Sequence, residues 1–168
     1  MKINWHDTPF RYYTVNDFLE PDEFDTVMQY HIDNVAVPET GRNNLRNEFI
    51  SDEIRGIIEP RMLELANTVR PNEDHSTRRL NIEMDSIQPG WGFCTHTDIE
   101  GKYIVFVLHL SEFGNGTRLH ETRDGPYVET MPWIPNGGGG FIRSDSSWHS
   151  FDTHAQSTTR RTIILNLM

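Results

Sequence analysis

Apolar side chains recur at one spacing in the first part of this chain and at another in the second, with the change falling near residue 79. In the first part, Arg11-Tyr12-Tyr13-Thr14-Val15 is β-prone. Asp17-Phe18-Leu19-Glu20-Pro21-Asp22-Glu23 then predicts a helix start, because proline is tolerated in a first turn and acids there meet the positive end of the helix dipole. Phe24, Val27, Met28 and Ile32 follow at helical spacing. Residues 38–44 form a polar break. Ser51-Asp52 caps a second helix that carries Ile54, Ile57, Ile58, Met62, Leu63, Leu65, Ala66 and Val69, with an interruption at Pro60.

From residue 80 the period drops to two. Leu80, Ile82, Met84 and Ser86 alternate with Asn81, Glu83 and Asp85, as on the two faces of a strand. Residues 103–110 read as a long buried strand and 117–120 as a short one. A run of four glycines, 137–140, precedes Phe141-Ile142-Arg143, and strands over 148–151 and 160–167 complete the set. Turns at Pro89-Gly90 and Gly114-Asn115-Gly116 separate these pieces. Short strands between Gly and Pro turns predict a mainly β fold with flanking helices, a sandwich or jelly roll with the helices covering one sheet.

Composition narrows the picture. The 168 residues suit one domain, 1–168, with the strand and helices of about 1–70 packed on a β core of about 79–168. Hydrophobic residues make up 36% and aromatics 11%, enough to fold without disulfides. Cys94 is the single cysteine, so no internal disulfide forms and a reducing, cytoplasmic setting is expected. The N-terminal residues lack the apolar stretch of a signal peptide, and no apolar run nears the ~20 residues that span a bilayer. A formal charge of −10 predicts a solvated acidic surface that repels phosphate backbones, which disfavours nucleic acid as a substrate.

The candidate chemistry is His96-Thr97-Asp98, followed by Trp148-His149-Ser150 and then Arg160-Arg161. Two imidazoles and one carboxylate hold a divalent iron on one face and leave the opposite face open. At a strand end, residues i and i+2 project to one side, so His96 and Asp98 aim at one point. A lone H-x-D is equally a solvated strand end, so the third ligand needs an argument. His109 lies within an apolar strand, where a satisfied core histidine is the alternative. His120 sits in a turn-flanked strand beside Glu121. His154 is too close to Arg160 for both to reach one site across a hairpin. The longer separation of His149 fits two antiparallel strands joined by a polar loop over residues 153–159.

The last strand separates two arginines by parity. Arg160, Thr162, Ile164 and Asn166 share one face, and Arg161, Ile163, Leu165 and Leu167 share the other. The aliphatic set suits packing against helices, and the more polar set suits the lining of a small cavity. Arg160 is therefore the inward cation, able to dock a dicarboxylate beside the metal, and Arg161 fits a surface salt bridge.

Taken together, the chain resembles the 2-oxoglutarate- and Fe(II)-dependent dioxygenases, in particular their prolyl-hydroxylase-like branch. The resemblance rests on Asp17-Phe18-Leu19-Glu20-Pro21-Asp22-Glu23, Pro89-Gly90 ahead of His96-Thr97-Asp98, Leu110-Ser111, Asn115-Gly116-Thr117, Asp145-Ser146-Ser147-Trp148-His149-Ser150 and Arg160-Arg161-Thr162-Ile163, in that order. It implies a double-stranded β-helix, the cupin-like jelly-roll core of that family. His96, Asp98 and His149 would bind Fe(II). Arg160 would pair with the distal carboxylate of 2-oxoglutarate, with Gln88, His109 and Thr162 completing the co-substrate pocket, and O₂ would be the oxidant, with ascorbate in support. Gln88 stands where relatives often carry tyrosine, and His109 where some do, so the pocket departs from the family pattern there. An intact Asp98 implies hydroxylation, because halogenating relatives carry a small residue at that position. The implied substrate is a protein or peptide prolyl side chain, then a free amino acid or other small metabolite. Two alternatives stay open: a cupin-like metal-binding protein or isomerase without 2-oxoglutarate, and an inactive jelly-roll binding module. Residues 38–44 and 121–127, polar and turn-rich, are the expected mobile walls of the substrate entrance.

Overall fold

In the computed structural model, which describes residues 1–154 and 157–168, the chain runs through β1 (Lys2–His6), β2 (Tyr12–Asn16), α1 (Pro21–Asn34), β3 (Arg42–Arg46), α2 (Asp52–Val69), β4 (Leu80–Ile87), β5 (Gly92–His96), β6 (Ile104–His109), β7 (Arg118–His120), β8 (Tyr127–Thr130), β9 (Gly137–Ile142), β10 (His149–Asp152) and β11 (Arg160–Leu167). The larger sheet has the order β1-β2-β9-β6-β11-β4-β3 and the smaller β5-β10-β7-β8. Every pairing between named strands is antiparallel. The two sheets face each other as a jelly roll, and both helices lie on the outer face of the larger one.

The alternation in the sequence explains this layering. Ile82 and Met84 of β4, with Ile163, Leu165 and Leu167 of β11, pack outward against Val27 of α1 and Ile54, Ile58, Met62 and Leu65 of α2. Their neighbours Glu83, Asp85, Arg160 and Ile164 face the space between the sheets. The apolar core is therefore mostly between helices and sheet. A smaller cluster of Tyr12, Val105, Leu119, Met131 and Phe141 lies on the inner side and leaves room for a cavity.

Helix α1 starts as expected, with a reciprocal capping box between Glu20 and Glu23 and Pro21 in the first turn. Its buried face differs from expectation: His31 is fully buried and Ile32 is largely exposed. Helix α2 begins at Ser51, whose side chain accepts from the Ile54 N–H, and continues through Pro60 without a break. A mid-helix proline costs about 3 kcal/mol, and burial of Ile54, Ile58, Met62, Leu65, Ala66 and Val69 offsets it.

Two further expectations are corrected. Part of the polar break at 38–44 is strand β3, paired with β4 at the sheet edge. The glycine run opens β9 and leads into Phe141 and Ile142, within the larger sheet between β2 and β6. The close approach demands glycine: a Cβ on Gly138, at φ +156°, would lie 1.9 Å from the Val107 carbonyl oxygen, and one on Gly139 would lie 2.2 Å from Met131 Sδ. Finally, β10 and β11 are not hairpin partners. β10 pairs with β5 and β7, and β11 with β4 and β6, so the strands on either side of the 153–159 loop lie in different sheets. Residues 155 and 156 of that loop lie outside the described residues.

Candidate metal centre and anion pocket

His96 ends β5 and His149 opens β10, and the two are direct cross-strand partners. Asp98 lies just past the strand end, so it reaches the histidines from a loop and not by strand alternation. One ligand atom from each of His96, Asp98 and His149 lies within 4.8 Å of the other two. The Nδ1–H of His96 donates to the Cys94 carbonyl at 2.9 Å, and the Nδ1–H of His149 to the Ser147 carbonyl at 2.9 Å. These backbone bonds select the tautomer in which Nε2 carries the free lone pair, the arrangement a metal-binding imidazole needs. Burial drives the His149 pKa down, with Asp98 opposing, so the ring is neutral at physiological pH.

Asp98 is 7% exposed and its two oxygens differ. Oδ1 accepts from the Lys102 ammonium. Oδ2 is buried without a hydrogen-bond partner, 3.8 Å from His149 Nε2. A buried orphan carboxylate oxygen is costly unless something cationic meets it, and a divalent ion bound by Asp98, His96 and His149 would supply that. The donor set, two imidazole nitrogens and one carboxylate oxygen, fits ferrous iron.

The same cavity, of about 150 Å³, extends from this cluster past Val107, Thr117 and Ile164 to Arg160. Arg160 is 2% exposed, and no carboxylate among the described residues lies within ion-pair distance of it. Its Nε donates to the Asn115 carbonyl at 3.2 Å and one terminal nitrogen to Thr162 Oγ1 at 3.3 Å. The guanidinium sits over the Phe151 ring at 4.5 Å and the Trp133 ring at 5.3 Å. Burial pulls its pKa down to about 10, with Asp85 opposing, so it stays charged at neutral pH. A buried cation without an ion-pair partner is suited to receive an anion. Arg161 points to the other face. It donates to Ser86 Oγ at 3.0 Å and to His31 Nδ1 at 3.1 Å, in place of the expected surface salt bridge.

Two of the expected co-substrate contacts lie elsewhere. Gln88 does not line the cavity. Its backbone closes the β4 end, N–H to the Gly41 carbonyl at 2.9 Å and carbonyl to the Thr153 hydroxyl at 2.7 Å. His109 is a satisfied core histidine: its ring stacks on Trp133 at 3.9 Å and its Nδ1 accepts from the Ile134 N–H at 3.1 Å. Thr162 stands behind Arg160 as a support for the guanidinium. His120 is likewise structural, with Nε2 2.8 Å from Ser150 Oγ.

Sequence reasoning missed the side wall. Arg42 of β3 grips Asp85 with Nε and Nη2, at 2.9 and 2.8 Å, and reaches Glu83 at 2.5 Å. Burial nevertheless pushes the Asp85 carboxyl up to about 7. The Arg42 guanidinium lies 6.0 Å from the Phe93 ring, closing the gap between the two edge strands β3 and β5. The polar parity of Glu83 and Asp85 was a usable signal, but their partner fell in a segment read as a break. Of the expected entrance segments, only Arg42 lines the cavity; residues 121–127 do not.

No family model matches the chain, and no curated protein is similar to it in sequence. Solved structures share its fold. A viral collagen prolyl hydroxylase from Paramecium Bursaria Chlorella virus-1, in complex with 2OG, superposes with a TM-score of 0.66 at 13% identity, over 93% of this chain and 94% of that one. A Pseudomonas putida prolyl-4-hydroxylase gives 0.65 at 15% identity over 93% and 91%. A prolyl hydroxylase from Trichoplax adhaerens, in complex with a hypoxia inducible factor oxygen degradation domain peptide fragment, gives 0.66 at 14% identity over 94% and 83%. The chain thus has the jelly-roll fold of these enzymes along almost its full length.

Proposed function

We propose that this chain is a non-haem Fe(II)- and 2-oxoglutarate-dependent dioxygenase that hydroxylates a C–H bond of a protein, peptide or amino-acid-like substrate. The observation that carries the reading is the joint presence, in one small cavity, of the His96–Asp98–His149 cluster and the buried, unpaired Arg160. His96 and His149 would hold the ion through Nε2, and Asp98 through Oδ2. Iron bound there would supply oxygen activation coupled to oxidative decarboxylation of 2-oxoglutarate.

The residues divide the remaining work. Arg160 receives the distal carboxylate in a charge-assisted pair, and Asn115 and Thr162 fix the guanidinium plane. Phe151 and Trp133 flank that guanidinium and exclude water, which strengthens the pair. Within the cavity Arg42, Lys102 and Arg160 offset Glu83, Asp85 and Asp98. A divalent ion then leaves positive charge in excess, and a dicarboxylate neutralises it. Neither a cupin-like metal protein nor a binding module requires the buried Arg160 beside the metal cluster.

The three solved structures are all prolyl hydroxylases by description, one of them with a peptide bound, so a prolyl side chain is the first substrate class to test and free amino acids the second. The single cysteine argues for a cytoplasmic setting. Among the described residues no helix is long and apolar enough to cross a membrane. The test is succinate release by purified protein with Fe(II), O₂, ascorbate and 2-oxoglutarate, with and without proline-bearing peptides or free amino acids. Turnover above an Asp98→Ala control is expected. Well-metallated protein that makes no succinate above that control would transfer the case to the binding-module reading.

A further inference from the structure

Lys102 lines the cavity and hydrogen-bonds Asp98, a member of the metal cluster, without being a donor to metal. The turn after Asp98 brings it there: the Lys102 N–H bonds the Ile99 carbonyl at 3.1 Å, and the side chain folds back onto Asp98 Oδ1. On the backbone side, Arg143 Nε donates to the Asp98 carbonyl at 3.0 Å, and Asp145 pins Arg143 at 2.8 Å. Asp98 is thus held at its main chain and at one oxygen only. The other oxygen, Oδ2, is left bare and buried on the side of His149.

We propose that Lys102 is a positioning residue that keeps Asp98 a one-oxygen ligand. The inference rests on the dioxygenase reading above. An octahedral ion has six positions. His96, His149 and a single Asp98 oxygen would take three, a two-point chelate by 2-oxoglutarate would take two, and O₂ would need the last. A carboxylate can also bind through both oxygens, and Asp98 doing so would consume the position O₂ requires. The Lys102 ammonium, donating to Oδ1, disfavours that option by occupying one of its lone pairs and drawing off its charge. The bond is charge-assisted and only partly exposed, so it competes with the metal for that oxygen.

The test needs no turnover. Mn(II) is loaded into wild type, Lys102→Met and Lys102→Arg, each checked for folding by circular dichroism and for Mn(II) stoichiometry by calorimetry. Water-proton relaxation then counts the exchangeable waters on the bound ion. Wild type should carry about three and Lys102→Met about two, with Mn(II) affinity equal or tighter, and Lys102→Arg should return the count to about three. Adding 2-oxoglutarate should displace about two waters from wild type and bind at least several-fold more weakly to Lys102→Met. An unchanged water count in Lys102→Met with full Mn(II) occupancy would overturn the proposal while leaving the metal site intact. A folded Lys102→Met that loses Mn(II) affinity more than tenfold would overturn it too, since Lys102 would then be building the site and not setting its denticity. Wild type that fails to bind Mn(II) would sink the dioxygenase reading itself, and this assignment with it.

Discussion

His96 and His149 face each other directly across the β5–β10 pair, each with its Nδ1–H tied to the carbonyl two residues before it. Two identical local devices therefore present two Nε2 lone pairs to one point, and Asp98 completes the cluster from the adjoining loop. This preorganisation makes the metal test clean. His96→Ala, Asp98→Ala and His149→Ala should each abolish tight Fe(II) or Mn(II) binding by calorimetry, with thermal stability of the metal-free protein kept or raised for Asp98→Ala, because that change removes a carboxylate with a bare buried oxygen. Full metal occupancy in any one variant would remove that residue from the set.

The glycine strand offers a second test. Gly138→Ala would drive a Cβ against the Val107 carbonyl oxygen, a backbone atom held in the β6–β9 ladder. With no flexible side chain to yield, the change should destabilise by about 3 kcal/mol or more, or leave the protein unfolded, as read by chemical denaturation. Gly56→Ala, on open space in α2, should instead be neutral or stabilising by about 0.5–1 kcal/mol. Similar effects at both positions would mean that β9 is not packed between β2 and β6.

What the sequence could disclose depended on how local the signal was. Parity along 80–87 and 160–167 sorted inward from outward residues because a two-residue period is a property of one strand. It assigned Arg160 and Arg161 to opposite faces before any partner was known. His96-Thr97-Asp98 was legible because its members are neighbours. Arg42 was not, since its role comes from pairing with Glu83 and Asp85 about forty residues away. Gln88 and His109 were placed in the co-substrate pocket by resemblance alone. The first is engaged through its backbone and the second is stacked in the core. His31 was hidden by helical periodicity, which marks apolar residues and has no means of flagging a buried imidazole that links a helix to a strand.

That imidazole sets a pH dependence. His31 Nε2–H donates to the Asp85 carbonyl at 2.9 Å, and its Nδ1 accepts from Arg161, so it is built to be neutral. Burial, with the Arg161 charge, lowers its pKa from 6.5 to about 4. The unfolded chain binds this proton below 6.5 and the folded chain does not, so the His31 contribution is fully present above 6.5 and declines toward pH 4 by about 1.4 kcal/mol per pH unit. The Asp85 carboxyl, raised to about 7, acts with the opposite sign over an overlapping range. The quantity to measure is therefore the difference between wild type and His31→Gln in denaturation experiments on metal-free protein. The variant should be less stable at pH 7.5, and the gap should shrink toward pH 5. A gap independent of pH would show that His31 titrates in the folded state as it does in the unfolded chain.

The two adjacent arginines give the sharpest separation of site from scaffold. Arg160 lies in the cavity, held by Asn115 and Thr162 and flanked by Phe151 and Trp133, while Arg161 reaches through the sheet's other face to Ser86 and His31. Truncating one side of a buried charge-assisted pair typically costs about 2–5 kcal/mol. Arg160→Ala should therefore weaken 2-oxoglutarate binding to the Mn(II)-loaded protein by well over tenfold. It should leave Mn(II) affinity within a few-fold, because the guanidinium is not a metal donor. Arg161→Ala should leave 2-oxoglutarate affinity nearly unchanged. It should instead lower stability by about 1–2 kcal/mol through the loss of two partly buried hydrogen bonds. The reverse ranking would place the last strand one residue out of register, since a one-residue slip exchanges its two faces. Equal, small effects on binding would instead show that a dicarboxylate does not dock at this end of the cavity.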